Sequence, residues 1–226
     1  RGSAMTASFL LRSFLWLLAA ASVVAGGADM PSEPKPVQHF AILVHTTNTV
    51  VVQINPAAFE PSVVLHGKPA GDVAFNTNYS YVGPNPFYRG WPIGVLKDGA
   101  KVYRTVKHKK GPRPILKIGA VECEVAPLIV KDGKNYAAQG IVESKLPADA
   151  TRAAQRVGAG WTKAGKLIIV YGSEISLRGL AEWLLRYRVV EGYAMDGGHS
   201  AYLKVGTLVR GYPIPKVAVS LKLRRG

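Results

Sequence analysis

Ser176-Leu177-Arg178-Gly179-Leu180-Ala181-Glu182-Trp183-Leu184-Leu185-Arg186-Tyr187-Arg188 is the one segment of the chain with an unambiguous helical period. Leu177, Leu180, Ala181, Leu184 and Leu185 recur at i, i+3 and i+4, and Ser176 stands where an N-cap hydroxyl is wanted. The spacing predicts a helix over Leu177–Arg188 that Val189-Val190 end before Gly192. Outside it the chain reads mostly as strands. Phe40–His45 and Thr49–Ile54 alternate around Thr46-Thr47-Asn48 as a hairpin. Val73–Phe75 is a short buried strand running into a polar, aromatic loop from Asn76 to Arg89. Pro92–Lys97 and Lys101–Val106 flank Asp98-Gly99, a type I′ signal. Leu116–Val121, Leu128–Lys131 (ending at Asp132-Gly133), Val157–Thr162 and Leu167–Tyr171 are further strands, and Ala148–Gln155 is a second, short helix. One good helix among many strands predicts an α+β domain with a mixed or antiparallel sheet.

Residues 1–4 read as a vector-derived scar before Met5. From Phe9 to Ala28 the chain is apolar apart from Arg12, Ser13 and Ser22, and Gly26-Gly27-Ala28 supplies small residues for a peptidase. Residues 5–28 therefore read as a secretory signal peptide, with an uncleaved membrane anchor as the rival. The expected location is exported, periplasmic or secreted, and anchored through residues 9–28 if the leader stays. Residues 29–36 form a Pro-rich linker, and 37–226 hold about 190 residues, enough for one well-cored domain.

Of 226 residues, 29 are Lys or Arg against 14 Asp or Glu, a net charge of +15. Losing residues 1–28 removes only Arg1 and Arg12 and leaves +13. Basic residues gather from Lys97 to Lys117 and again at Lys216, Lys222, Arg224 and Arg225. Such a field suits polyanions: phosphorylated glycans, an anionic membrane or cell-envelope surface, or nucleic acid. Nucleic acid ranks last, because Lys107-His108-Lys109-Lys110-Gly111-Pro112 lacks the interleaved aromatics of a stacking platform. Cys123 is alone, so no internal disulfide forms; flanked by Glu122 and Glu124 it reads as a structural thiol with a raised pKa.

The chemistry-bearing stretch is Ala194-Met195-Asp196-Gly197-Gly198-His199-Ser200. A carboxylate opens a turn whose glycines let backbone N–H groups approach an anion. The bland alternative is a tight Asp-Gly turn beside a strand. His45 and His66 have no metal-like spacing to another ligand, and no zinc, P-loop or dinucleotide pattern is present. No cofactor and no metal is expected.

Four segments in order resemble the phosphodiester glycosidase family, the group that includes the N-acetylglucosamine-1-phosphodiester alpha-N-acetylglucosaminidase domain of the lysosomal uncovering enzyme. They are Ala74-Phe75-Asn76-Thr77-Asn78-Tyr79, Trp91-Pro92-Ile93-Gly94-Val95-Leu96-Lys97-Asp98-Gly99, Ala126-Pro127-Leu128-Ile129-Val130-Lys131-Asp132-Gly133-Lys134, and Arg156 and Gly160 joined to Asp196-Gly197-Gly198-x-Ser200. The family has a third glycine where this chain has His199, a residue less free to take positive φ. The resemblance implies hydrolytic cleavage of a sugar from a phosphodiester. On it, Asp196 would stabilise or attack the oxocarbenium-like centre or activate water, Arg156 would grip the phosphate, and His199 would act as a partial acid or base. Asn76, Asn78, Tyr79, Gly197, Gly198 and Ser200 would line the substrate site. Tyr79, Tyr81, Phe87, Tyr88 and Trp91 read either as a sugar platform or as a satellite core. The rival function is a catalytically idle module that binds anionic glycans or cell-envelope polymers.

Overall fold

The structure, a computed structural model, describes residues 39–78, 80, 87, 91–106, 113–146 and 151–225. In chain order its first strands are β1 (Phe40–His45), β2 (Thr49–Ile54), β3 (Phe59–Leu65), β4 (Val73–Asn76), β5 (Leu96–Asp98) and β6 (Lys101–Val102). Next come β7 (Ile115–Ile118), β8 (Val121–Glu124), β9 (Leu128–Lys131), β10 (Lys134–Asn135) and the helix α1 (Ala137–Glu143). The remainder is β11 (Ala154–Thr162), β12 (Leu167–Ile175), α2 (Leu177–Arg186), β13 (Val189–Ala194), β14 (Tyr202–Val205), β15 (Leu208–Gly211) and β16 (Val217–Leu223). The class is α+β.

The strands form three antiparallel sheets. The first runs β1-β2-β12-β11-β13-β9-β10, the second β15-β14-β4-β16-β3, the third β6-β5-β8-β7. Alternation along the first sheet decides the layering. Val51, Ile168, Val170, Ile129 and Ala194 face α1 and α2, packing on Leu177, Leu180, Ala181 and Leu184. Val50, Val52, Ile54, Leu167 and Ile169 face the other way and share a larger core with Phe75, Leu203 and Val219 of the second sheet and Leu96, Leu116 and Cys123 of the third. Helices, a wide sheet and two small sheets thus form three layers. Each fully buried Val, Leu, Ile or Phe contributes about 1.5–3 kcal/mol of transfer free energy, so two such cores are ample for a domain of this size. The helix lies close on the sheet because β11 has no side chain beneath it at Gly158, where a Cβ would sit 2.9 Å from Leu180 Cγ.

The helix over 177–188 is present as α2, and the Ser176 hydroxyl caps it by accepting from Gly179 N at 3.1 Å. The hairpins β1–β2 and β11–β12 match the alternation. The expected helix over Ala148–Gln155 is corrected where it is described: Ala154 and Gln155 open β11, where Ala154 pairs with Ile175, while 147–150 lie outside the described residues. Ladder pairing outweighs the helix propensity of an alanine-rich stretch there. The turn after Asp98 is not type I′, since only Gly99 takes positive φ (58°), the first-position glycine of a type II′ hairpin. Asp132-Gly133, with φ of 51° and 68°, is the I′ turn. The leader and linker lie outside the described residues; among the described residues no helix is long and apolar enough to cross a membrane.

Candidate active site

β4, β13 and β11 bring their chain ends to one end of the molecule, where the first and second sheets meet. β13 finishes at Ala194, which pairs with Gly158 of β11. Met195 N then donates to Val157 O at 2.9 Å, and Asp196 N crosses to the second sheet, donating to Thr77 O at 3.2 Å. The turn that follows, Gly198–Ser200, is a single 3-10 turn closed by Ser200 N on Gly197 O and Ala201 N on Gly198 O. Positive φ falls on Gly198 (60°) alone in this turn, and His199 keeps ordinary backbone angles. The strain expected of a histidine in place of a third glycine is therefore absent.

Asp196 is half-buried at this seam. One carboxylate oxygen accepts from Ser80 N at 3.3 Å and, at 3.5 Å, from the Ser80 hydroxyl. The Ser200 hydroxyl also donates to the carboxyl. Burial pushes its pKa above the usual aspartate value, and these donors together with the charge of Lys216 pull the other way.

The two asparagines of the first motif are buried, 2% exposed each, and commit their amides to main chain. Asn76 Nδ2 donates to Asp196 O at 2.5 Å while its Oδ1 accepts from Tyr202 N at 3.0 Å. It clamps both ends of the Asp196 turn. Asn78 Nδ2 donates to Ile93 O and Val95 O at 3.1 and 2.9 Å, tying the second sheet to the third. Both side-chain amides are thus held by main chain.

Arg156 comes to the same turn from β11. A Cβ on Gly197 would sit 3.3 Å from its Nη1, so guanidinium and turn are in contact. The side chain is 7% exposed; Nε donates to Ile175 O at 3.0 Å and Nη2 to Arg152 O at 2.8 Å. His199 is exposed and lines a cleft of about 270 Å³ with Gln155, Gly198, Gly211 and Tyr212. A larger hollow of about 710 Å³ lies away from this turn, between α1 and the start of α2, lined by Tyr136, Ile141, Thr151 and Leu177.

Tyr79, Tyr81 and Tyr88 lie outside the described residues. Phe87 is 83% exposed and Trp91 carries the Arg104 guanidinium 4.9 Å from its ring centroid. The basic run is partly neutralised within the fold: Lys97 and Lys117 both pair with Glu122, at 3.4 and 2.8 Å. Cys123 is structural, its thiol pushed up to about 12 by burial, with Asp98 the carboxylate that adds to the effect. Glu122 and Glu124, on the opposite face of β8, are not the cause. Among the described residues no group of His, Cys, Asp and Glu could hold a metal ion.

Two residues at the Asp196 turn were not singled out in the sequence: Thr77 lies inside the Asn76 motif and Ser80 just after it, and neither is of a distinguishing residue type. Glu124 is buried at 8% exposure; its Oε2 accepts from Val95 N at 3.0 Å and its Oε1 has no hydrogen-bond partner.

Against known proteins, the model of the Phosphodiester glycosidase family matches residues 46–220. The fold is similar to the catalytic domain of zebrafish N-acetylglucosamine-1-phosphodiester alpha-N-acetylglucosaminidase, auto-inhibited by its pro-peptide, at TM-score 0.61 and 15% identity, covering 78% of this chain and 77% of that one. It is also similar to a hypothetical protein from Synechocystis, at TM-score 0.57 and 11% identity, covering 82% of this chain and 61% of that one. No curated protein is a match for this chain.

Proposed function

The chain belongs to the phosphodiester glycosidase family, and we propose that it is an exported hydrolase that releases a sugar from a phosphodiester-linked, anionic glycoconjugate. The observation that carries this reading is the Asp196 carboxyl. It is half-buried at the seam of two sheets, held by Ser80 and Ser200, and set at the mouth of a glycine turn backed by Arg156. The bond to break joins the anomeric carbon to a phosphate oxygen. Its electron pair leaves with the phosphate, and water supplies the hydroxyl that ends on the sugar and a proton that goes to solvent. Phosphate is a good leaving group, so the main demand is for negative charge beside the oxocarbenium-like carbon, which Asp196 supplies. His199 stands in the open cleft beside the turn, where its ring can serve as a partial acid or base. Export rests on the apolar segment to Ala28 and the Pro-rich linker.

Asp196→Asn keeps the shape of the side chain and removes its charge. Because the interaction is strongest in the transition state, turnover of a glycosyl-phosphodiester panel falls by on the order of a hundredfold or more while affinity is kept. Release of free sugar is the assay. Wild-type protein that binds anionic glycans and turns over no member of the panel would be a binding module instead. His199→Gly accompanies it: increased turnover would show that the histidine damps the site.

A further inference from the structure

A cation comes to the neighbourhood of Asp196 from the residue just before β16, through the register of the second sheet. Asn76 pairs with Ala218, and Thr77 N donates to Val217 O at 3.2 Å. Val217 and Val219 point into the core with Phe75 and Leu203. Side chains alternate along a strand, so Ala218 shares the opposite face with Asn76; Lys216, just before β16, continues the pairing with the end of β3 by accepting from His66 N at 3.0 Å, and so falls on that same face. Asn76 holds the Asp196 carbonyl on this face, and Thr77 O, next in line, holds the Asp196 N–H. Lys216 therefore stands beside the Asp196 turn. It is partly exposed, and its charge reaches the Asp196 carboxyl. Among the described residues its ammonium makes no hydrogen bond and no close ion pair. Arg156, by contrast, is buried and has Nε and Nη2 committed to main-chain carbonyls.

We propose that Lys216 is the phosphate anchor of this site, its ammonium holding a non-bridging oxygen of the phosphate whose sugar carbon rests against Asp196. The assignment rests on the phosphodiester reading above. A diester carries one negative charge, and the departing monoester approaches two at neutral pH. An ammonium at that oxygen thus gains attraction as the bond breaks and favours the transition state over the bound substrate. Lysine suits this as a compact point charge with three donors.

Binding is tested with inorganic phosphate by calorimetry on the full chain, with thermal midpoints checking that each variant folds. Lys216→Met weakens phosphate binding at least tenfold, and Lys216→Arg keeps most of it. Lys222→Met removes the same charge from the exposed end of β16 and leaves binding at the wild-type value. Equal phosphate affinity in wild type and Lys216→Met overturns the assignment. So does an equal loss in Lys222→Met, which would make net charge the cause, and so does a wild type that binds no phosphate. Turnover separates the two levels: Lys216→Met lowers kcat/KM at least tenfold on a glycosyl phosphodiester and little on a neutral aryl glycoside of the same sugar. Lysine-dependent phosphate binding in a wild type that cleaves no phosphodiester would uphold the anchor and sink the hydrolase reading.

Discussion

At the scale of single residues, the site turns on how one carboxyl is poised. Burial raises the Asp196 pKa, while Ser200, Ser80 and Lys216 lower it; Arg156 on β11 and His199 on the turn are the other ionisable groups nearby. A folded-state value above the unfolded one means that folding favours the neutral acid. That contribution is fully present below the ordinary aspartate value of about 3.9 and is lost as pH rises through the raised value. On the proposed reading, catalysis by the carboxylate has the opposite sign and grows over the same window. The profile of kcat/KM against pH therefore has an acidic limb above the ordinary aspartate value, and Lys216→Met, by removing a charge that favours the carboxylate, moves it further up. An acidic limb at about 4 that Lys216→Met leaves in place would show that another group titrates. Asp196 was legible from its turn glycines, and Asn76 and Arg156 only through motifs that resemble those of the family, since Arg156 is otherwise one of 29 basic residues. What those side chains touch was not. The asparagine amides face main chain, and Lys216 reaches the turn through a cross-strand register that no local pattern encodes.

Among the elements, legibility followed periodicity. α2 and the hairpins β1–β2 and β11–β12 show through because each alternates against a single core face. β3 does not, because Pro61 breaks a strand pattern; Pro61 is tolerated since β3 is an edge of the second sheet. β14, β15 and β16 are obscured by Gly206, Gly211, Pro213 and Pro215 between them. α1 hides for another reason: Gly140 weakens its helical signal but is required, since a Cβ there would run into the Leu128 carbonyl. Gly94, between the second and third sheets, combines φ of 84° with a Cβ position occupied by the Glu124 carboxyl. Gly94→Ala incurs left-handed strain of about 1–2 kcal/mol and has to displace Glu124 from Val95 N as well. Urea unfolding should show a loss of more than about 2 kcal/mol. A loss under about 0.5 kcal/mol would mean that the third sheet gives way freely at this point.

For the whole molecule, no single sheet contains the candidate site. The Asp196 turn hangs from β13 and β11 of the first sheet, is clamped by Asn76 of the second, and is joined to the third through Asn78. Its geometry persists only while all three sheets are closed on their common core. Cys123 lies in that core, on the third sheet, with its side chain 1% exposed and its thiol pushed up to about 12. The chain thus carries one chemical clock of its own opening. At neutral pH the sulfur is protonated and shielded, so a water-soluble thiol reagent can react only with molecules in which the core has come apart. Labelling of native protein should be slow and should accelerate with urea in step with global unfolding, because the fraction open at any moment sets the rate. Labelling that runs well ahead of unfolding would reveal the third sheet lifting away by itself, which would unfasten Asn78 while leaving Asp196 and Asn76 in place.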